Sequence, residues 1–429
     1  MWCHRVNRSG WECPTTCAVI AATVLTVVIT PSGVWADPVL VQSETKITPA
    51  LTVTERYDSN VFFVQGGNLE DYVTAVAPQL RVDHSDRLVT GSLTGTVTGE
   101  AYVKNPGLNY IAPSGALTMN LDGLMGQLDK RARLTVSDSF AFTPKPLAFI
   151  GPSTGSEVPD TFVRGIQTQR ANSRTNVANV TAGYQFTPVV SLQGMYTNSM
   201  FRYGTVFVPP PNTATSQPAG SAFFSTHFQS YSVGPQFTLT PLDVVSVNYQ
   251  GSRANYDLPS GATSSFQTQG GTLTWIHTFT PTFTANGTGG FSVIGGPNST
   301  LTYVGDASLQ WKHQHGGATL RYSRSIFPSF FIVAVPLLSQ VIAVSGSYGL
   351  TGNLSATGSA SYAKNESTSG QVPLSFESYS VSFLLTYTIT RSVSAIASVT
   401  HYEFNQTFTG IETTFNRNVV SLSLRGEWN

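Results

Sequence analysis

Imidazoles, hydroxyls and charges decide what chemistry is open to this chain. Seven histidines are present, and imidazole can ligate a metal or move a proton near neutral pH. His4 stands near the start, His84, His313 and His315 lie in or beside expected turns, and His227, His277 and His401 are scattered. No H-E-x-x-H and no close His/Asp/Glu cluster appears. Serine is so abundant that no nucleophile stands out. Neither an enzyme nor a bound cofactor or metal is expected. The residues left with a physical role are charges that share the polar face of successive strands: Arg56, Arg81, Asp83, Glu100, Arg133, Asp306, Lys312, Arg321, Arg425 and Glu427. Such residues sort ions rather than make bonds. Arg133 and Arg321 are the candidates for one constriction.

The elements that carry these charges have a period of two. In the last stretch Val420, Leu422, Leu424, Gly426 and Trp428 share one face, while Ser421, Ser423, Arg425 and Glu427 share the other. The same alternation returns in Thr302–Lys312, Leu354–Tyr362 and Ser378–Ile389. Period two means strands with one oily and one wet face. The wet face carries mostly hydroxyls. Charged residues are only 11% of the chain, against roughly 25% in soluble domains. That pattern predicts an all-β transmembrane antiparallel up-and-down barrel, whose spanning strands need only about ten alternating residues. Eighteen strands are expected, from 47–57 to 416–428, with sixteen as the alternative.

Short turns repeat along the chain: Phe186-Thr187-Pro188, Leu239-Thr240-Pro241 and Phe279-Thr280-Pro281, with looser copies at Leu350-Thr351-Gly352 and Ile389-Thr390-Arg391. Pro and Gly would end each strand there. The opposite connections are longer, above all Thr143–Asn172 and Gly204–Ser225. Short turns on one side and long loops on the other match the periplasmic and extracellular ends of an outer-membrane barrel. Phe186, Leu239, Phe279, Trp311, Tyr348, Tyr387 and Trp428 stand beside the short turns, as an interfacial girdle requires. Glu55 and Asp138 fall on the oily face, so a bulge or a different register is expected at each.

Residues 1–36 have the three parts of a secretory signal: Arg5 and Arg8, an apolar run Cys17–Thr30, and Val34-Trp35-Ala36 as the cleavage site. A short periplasmic segment, 37–46, would follow, and 47–429 would form the barrel. All three cysteines lie in the expected signal, so no disulfide or thiolate site is expected in the mature chain. Lys and Arg number 23, and Asp and Glu 23. That balance argues against nucleic acid as a partner.

Tyr57-Asp58-Ser59-Asn60-Val61-Phe62, Tyr72–Pro78, Arg131–Asp138, Arg174-Thr175-Asn176 and Gly183-Tyr184-Gln185-Phe186 together resemble the outer-membrane β-barrel porins associated with exopolysaccharide and exosortase (PEP-CTERM) systems of Proteobacteria. The chain departs from such barrels in placing Asn429 after Trp428. The resemblance implies a place in the outer membrane of a Gram-negative bacterium. The partners expected there are outer-membrane lipid, lipopolysaccharide, the barrel assembly machinery, and small polar solutes or polysaccharide. The expected function is passive diffusion of small polar solutes. The alternative is a non-conducting accessory component of exopolysaccharide export or surface assembly.

Overall fold

Strands with one apolar face each can bury backbone polar groups in a membrane only by closing into a ring. The computed structural model describes residues 43–429, apart from 63–64, 66–68, 144–170, 207–223, 259–262, 296–298, 330–333, 369–372, 409 and 429. The expected signal and most of loops 143–172 and 204–225 therefore lie outside the described residues. Eighteen strands follow in order: β1 (Glu44–Asp58), β2 (Asp71–Ser85), β3 (Thr90–Tyr102), β4 (Tyr110–Asn120), β5 (Ala132–Thr143), β6 (Ala171–Gln185), β7 (Val190–Val206), β8 (Ser225–Thr238), β9 (Asp243–Asp257), β10 (Thr263–Thr280), β11 (Phe283–Gly295), β12 (Thr300–His313), β13 (Gly316–Pro328), β14 (Pro336–Gly349), β15 (Leu354–Ser367), β16 (Leu374–Thr390), β17 (Val393–Phe408) and β18 (Ile411–Glu427). Each pairs antiparallel with the next, and β18 pairs with β1 from Ala50↔Glu427 to Asp58↔Val419. The sheet is a closed up-and-down barrel of the expected strand count.

The faces follow the sequence alternation. In β18 Leu422 is 60% exposed and Leu424 54%, while Ser423 between them is 9% exposed. Leu273, Leu320, Val344 and Phe383 are exposed on neighbouring outward faces, forming the belt that a barrel turns to lipid. The seven residues expected in the turn-side girdle are all exposed. A second row of exposed rings, including Tyr196, Tyr231, Tyr303, Tyr322 and Tyr379, stands toward the loop end. Rings also cover bare backbone: a Cβ on Gly251 would stand 2.6 Å from the Tyr231 ring. Alanine there would displace the ring.

The recurring turn owes its shape to threonine. The Oγ1 of Thr187, Thr240, Thr280, Thr351 and Thr390 accepts from the backbone N–H two residues on, at 3.1–3.3 Å. A hydroxyl that bonds its own turn competes with continued strand, so the repeat works even where Pro is replaced by Gly or Arg.

Three features differ from the sequence reading. β17 and β18 run past their expected ends and stay paired as far as Phe408↔Ile411, with Gly410 at φ 82°. Short connections are thus not confined to one end, because cross-strand pairing continued to the residues that glycine could reverse. A short helix, α1 (Asp122–Leu128), fills the turn between β4 and β5. Asp122 ties it to β5, accepting from the Leu134 N–H at 2.9 Å. Finally, no bulge re-aims Glu55 or Asp138, since the register is unbroken at both. Both point outward with a polar neighbour: Thr74 donates to Glu55 at 2.9 Å, and Asn176 donates to Asp138 at 3.0 Å.

Candidate functional site: the barrel interior

The interior wall is built from hydroxyls in register. Thr54 faces Ser423, Ser252 faces Thr268, Thr274 faces Thr288, Ser361 faces Ser380, Ser382 faces Thr400 and Ser398 faces Ser421, each pair 2.7–3.0 Å apart. Cross-strand hydroxyls satisfy one another. This accounts for a wet face rich in Ser and Thr and poor in Lys and Glu.

All ten charged candidates, Arg56, Arg81, Asp83, Glu100, Arg133, Asp306, Lys312, Arg321, Arg425 and Glu427, share the parity of the inward face. Nearly all are neutralised locally. Arg56 grips Glu100 with both terminal nitrogens, at 3.1 and 2.9 Å, and the Tyr102 hydroxyl donates to the same carboxylate at 2.7 Å. Arg321 meets Asp306 at 2.8 Å across β12 and β13. Arg81 meets Asp83 at 2.8 Å, and Arg425 meets Glu427 at 3.0 Å. Arg133 reaches Asp122 of α1 at 3.2 Å. Lys312 makes no ion pair among the described residues. The sequence reading named Arg133 and Arg321 as the candidates for one constriction. They stand on β5 and β13, each paired with its own acid.

A further pair escaped the sequence reading. The Arg417 Nε donates to Asp58 at 2.9 Å across the β1–β18 closure, and its guanidinium lies 5.7 Å from the Tyr402 ring centre. Arg417 shares the parity of Arg425, so alternation alone already marked it. Asp58 falls one residue beyond the expected end of β1. In the turn below β5, outside the spanning strands, hydrogen bonds from Arg131 and Tyr184 hold the Asp129 carboxyl well below the usual range.

The two ends of the interior differ. Toward the loop end, inward residues are buried, and three apolar clusters stand among buried polar residues such as Ser173, Ser199 and Asn365. Leu337, Leu374, Phe376, Phe404 and Phe415 form one cluster. Val61, Phe62, Val73, Tyr102 and Leu108 form a second. Phe224, Phe228, Ala254, Tyr256, Phe266 and Ile294 form a third. Toward the turn end, inward Gln193, Gln310 and Thr388 are exposed. Sequence reasoning missed this gradient. It used parity to separate faces and had no measure of height.

His313 and His315 stand together, their ring centres 5.9 Å apart, and the other described histidines remain apart. His277 meets Asp243 at 2.7 Å, His84 lies between Thr45 and Asp86, His227 bonds Asn198 and His401 bonds Asn418. No group of three His, Cys, Asp or Glu suited to a metal occurs among the described residues. One G-x-S-x-G string, Gly151–Gly155, is present in the sequence and lies outside the described residues.

No family model matches the sequence, and no curated protein matches it. Solved structures do. OccK1 (OpdK) of Pseudomonas aeruginosa is 10% identical, over 89% of this chain and 99% of that one, with a TM-score of 0.44. OccK5 (OpdH) of the same organism is 9% identical, over 90% and 99%, also at 0.44. The siderophore receptor PiuA of Acinetobacter baumannii is 8% identical, over 89% and 82%, at 0.41. The fold itself rests on the closed pairing register, with its apolar outer belt.

Proposed function

We propose that this chain is a porin-like channel of the Gram-negative outer membrane, passing small polar solutes by diffusion. The observation that carries this reading is the closed ring of eighteen strands with a lipid-facing belt outside and a hydroxyl-lined wall inside. Barrels of 16–18 strands are wide enough for an aqueous channel. A wall of mutually bonded hydroxyls and paired charges holds solutes weakly and sorts ions little. The short Thr turns would face the periplasm and the long loops the cell exterior. Purified, folded protein in a planar bilayer should show discrete channels with modest ion selectivity. Folded protein that inserts and never conducts, even with loops 143–172 and 204–225 shortened, would refute the channel.

The local ion pairs make a second expectation. Removing both Arg133 and Arg321 leaves Asp122 and Asp306 without their partners. Reversal potentials of the double glutamine variant should therefore shift toward cations. An unchanged reversal potential would mean that neither arginine lines the conducting path.

A second reading draws on the three buried apolar clusters toward the loop end of the interior. There the barrel conducts nothing at rest and serves exopolysaccharide export or surface assembly as an accessory. Loss of surface polysaccharide in a deletion strain, with uptake of small solutes unchanged, would favour it.

A further inference from the structure

Near the loop end of the outward face, the β6–β7 register sets Arg174 directly opposite Arg202. Both side chains are exposed. Arg174 shares its face with exposed Val180, and Arg202 shares its face with exposed Leu192, Tyr196 and Met200. The two cations therefore stand just beyond the apolar belt on adjacent strands.

Like charges directly opposite each other on a sheet are destabilising. Here no acid among the described residues relieves them. Neither arginine makes an ion pair among the described residues. Asp138, on the same outward face, is taken by the Asn176 amide. Asp257, also outward, lies across from Ser225, another strand along. Arg174 is also held in place: its guanidinium sits 5.6 Å from the ring centre of Phe142, its neighbour on β5. A planar ring under one guanidinium leaves the donors at its edge free for an anion.

We propose that Arg174 and Arg202 clamp a phosphate group of an anionic glycolipid in the outer leaflet. This rests on the outer-membrane reading, with the loop end outward. Two guanidinium forks on adjacent strands can share one phosphate, and that charge cancels the repulsion between them. The site lies on the outward face next to the belt, so a lipid-borne phosphate reaches it while the lipid's acyl chains lie along Met200 and Tyr196.

The test compares the full-length, refolded wild type with the Arg174→Gln/Arg202→Gln double variant. Phosphorylated lipid A, the same lipid with its phosphates removed, and inorganic phosphate are the probes. Wild type should bind phosphorylated lipid A, and the double variant should bind it about tenfold or more weakly. Lipid without phosphate should distinguish the two proteins little. Without lipid, the double variant should melt no lower than wild type, since it loses a repulsion. Equal affinity of both proteins for phosphorylated lipid A would overturn the clamp, and so would inorganic phosphate competing as strongly as the lipid. Channel recordings in zwitterionic bilayers separate this from the parent reading. The clamp can fail while conductance is normal, and conductance can fail while lipid binding persists.

Discussion

Replacing Leu422 with arginine is expected to stop most of the protein from assembling. Leu422 lies outward in β18 between Ala397 of β17 and Glu55 of β1 and is 60% exposed to the surroundings of the barrel. An arginine on the lipid face costs about 2–4 kcal/mol near the membrane midplane. That is a large share of a typical net folding stability of roughly 5–15 kcal/mol. Here the change also falls on the strand that closes the ring. The inward neighbour Ser423 is a poor control, because it is 9% exposed and bonded to Thr54. Gln310, inward and exposed in β12, is a better one. The fraction of protein whose gel mobility changes on boiling measures assembly. It should collapse in Leu422→Arg and stay near wild type in Gln310→Arg. Equal losses would mean that the faces are misassigned.

Glu100→Ala should produce the largest loss of stability among the charged residues. The Glu100 side chain is 0% exposed and its partner Arg56 12%. Arg56 Nε already lacks a partner, so removing Glu100 strands a cation that has few other acceptors. Breaking one side of a buried pair costs about 3–5 kcal/mol. The Tyr102 hydroxyl loses its acceptor as well. Unfolding by urea in detergent should register the loss. Replacing both residues with leucine should recover most of it, since the stranded charge is then absent. A double variant as unstable as Glu100→Ala would show that the pair contributes more than charge compensation.

Alternation made the strands legible because a period of two assigns each side chain to a face without knowledge of the neighbour. Val420, Leu422 and Leu424 were therefore readable alone, and so were the inward positions of Arg56, Glu100 and Arg425. What alternation cannot convey is which acid stands opposite. The partners of Arg133 and Arg417 come from α1 and from β1, across the closure of the ring. Each lies at a sequence distance that no local pattern reaches. Helix α1 has too few residues to show a helical period, and its Asp122 meets the β5 backbone only through the turn. Asn176 beside Asp138 likewise explains why a carboxylate survives on the oily face, and only the register reveals it.

The closure of β18 on β1 sets a timetable for the chain. Every other pairing joins strands consecutive in sequence, so each hairpin can form as soon as its second strand exists, at a small entropic cost. The closing pair must join positions 359 residues apart, as Asp58 and Arg417 are. Such distant contacts form late. Until then β1 and β18 present open edges, the form of sheet most prone to joining a stranger. The Asp58–Arg417 bond, the Thr54–Ser423 hydroxyls and the Trp428 N–H on the Pro49 carbonyl all span this seam. They act as a latch: weakening them should lengthen the interval in which the half-built ring can err, more than it lowers the stability of the finished one.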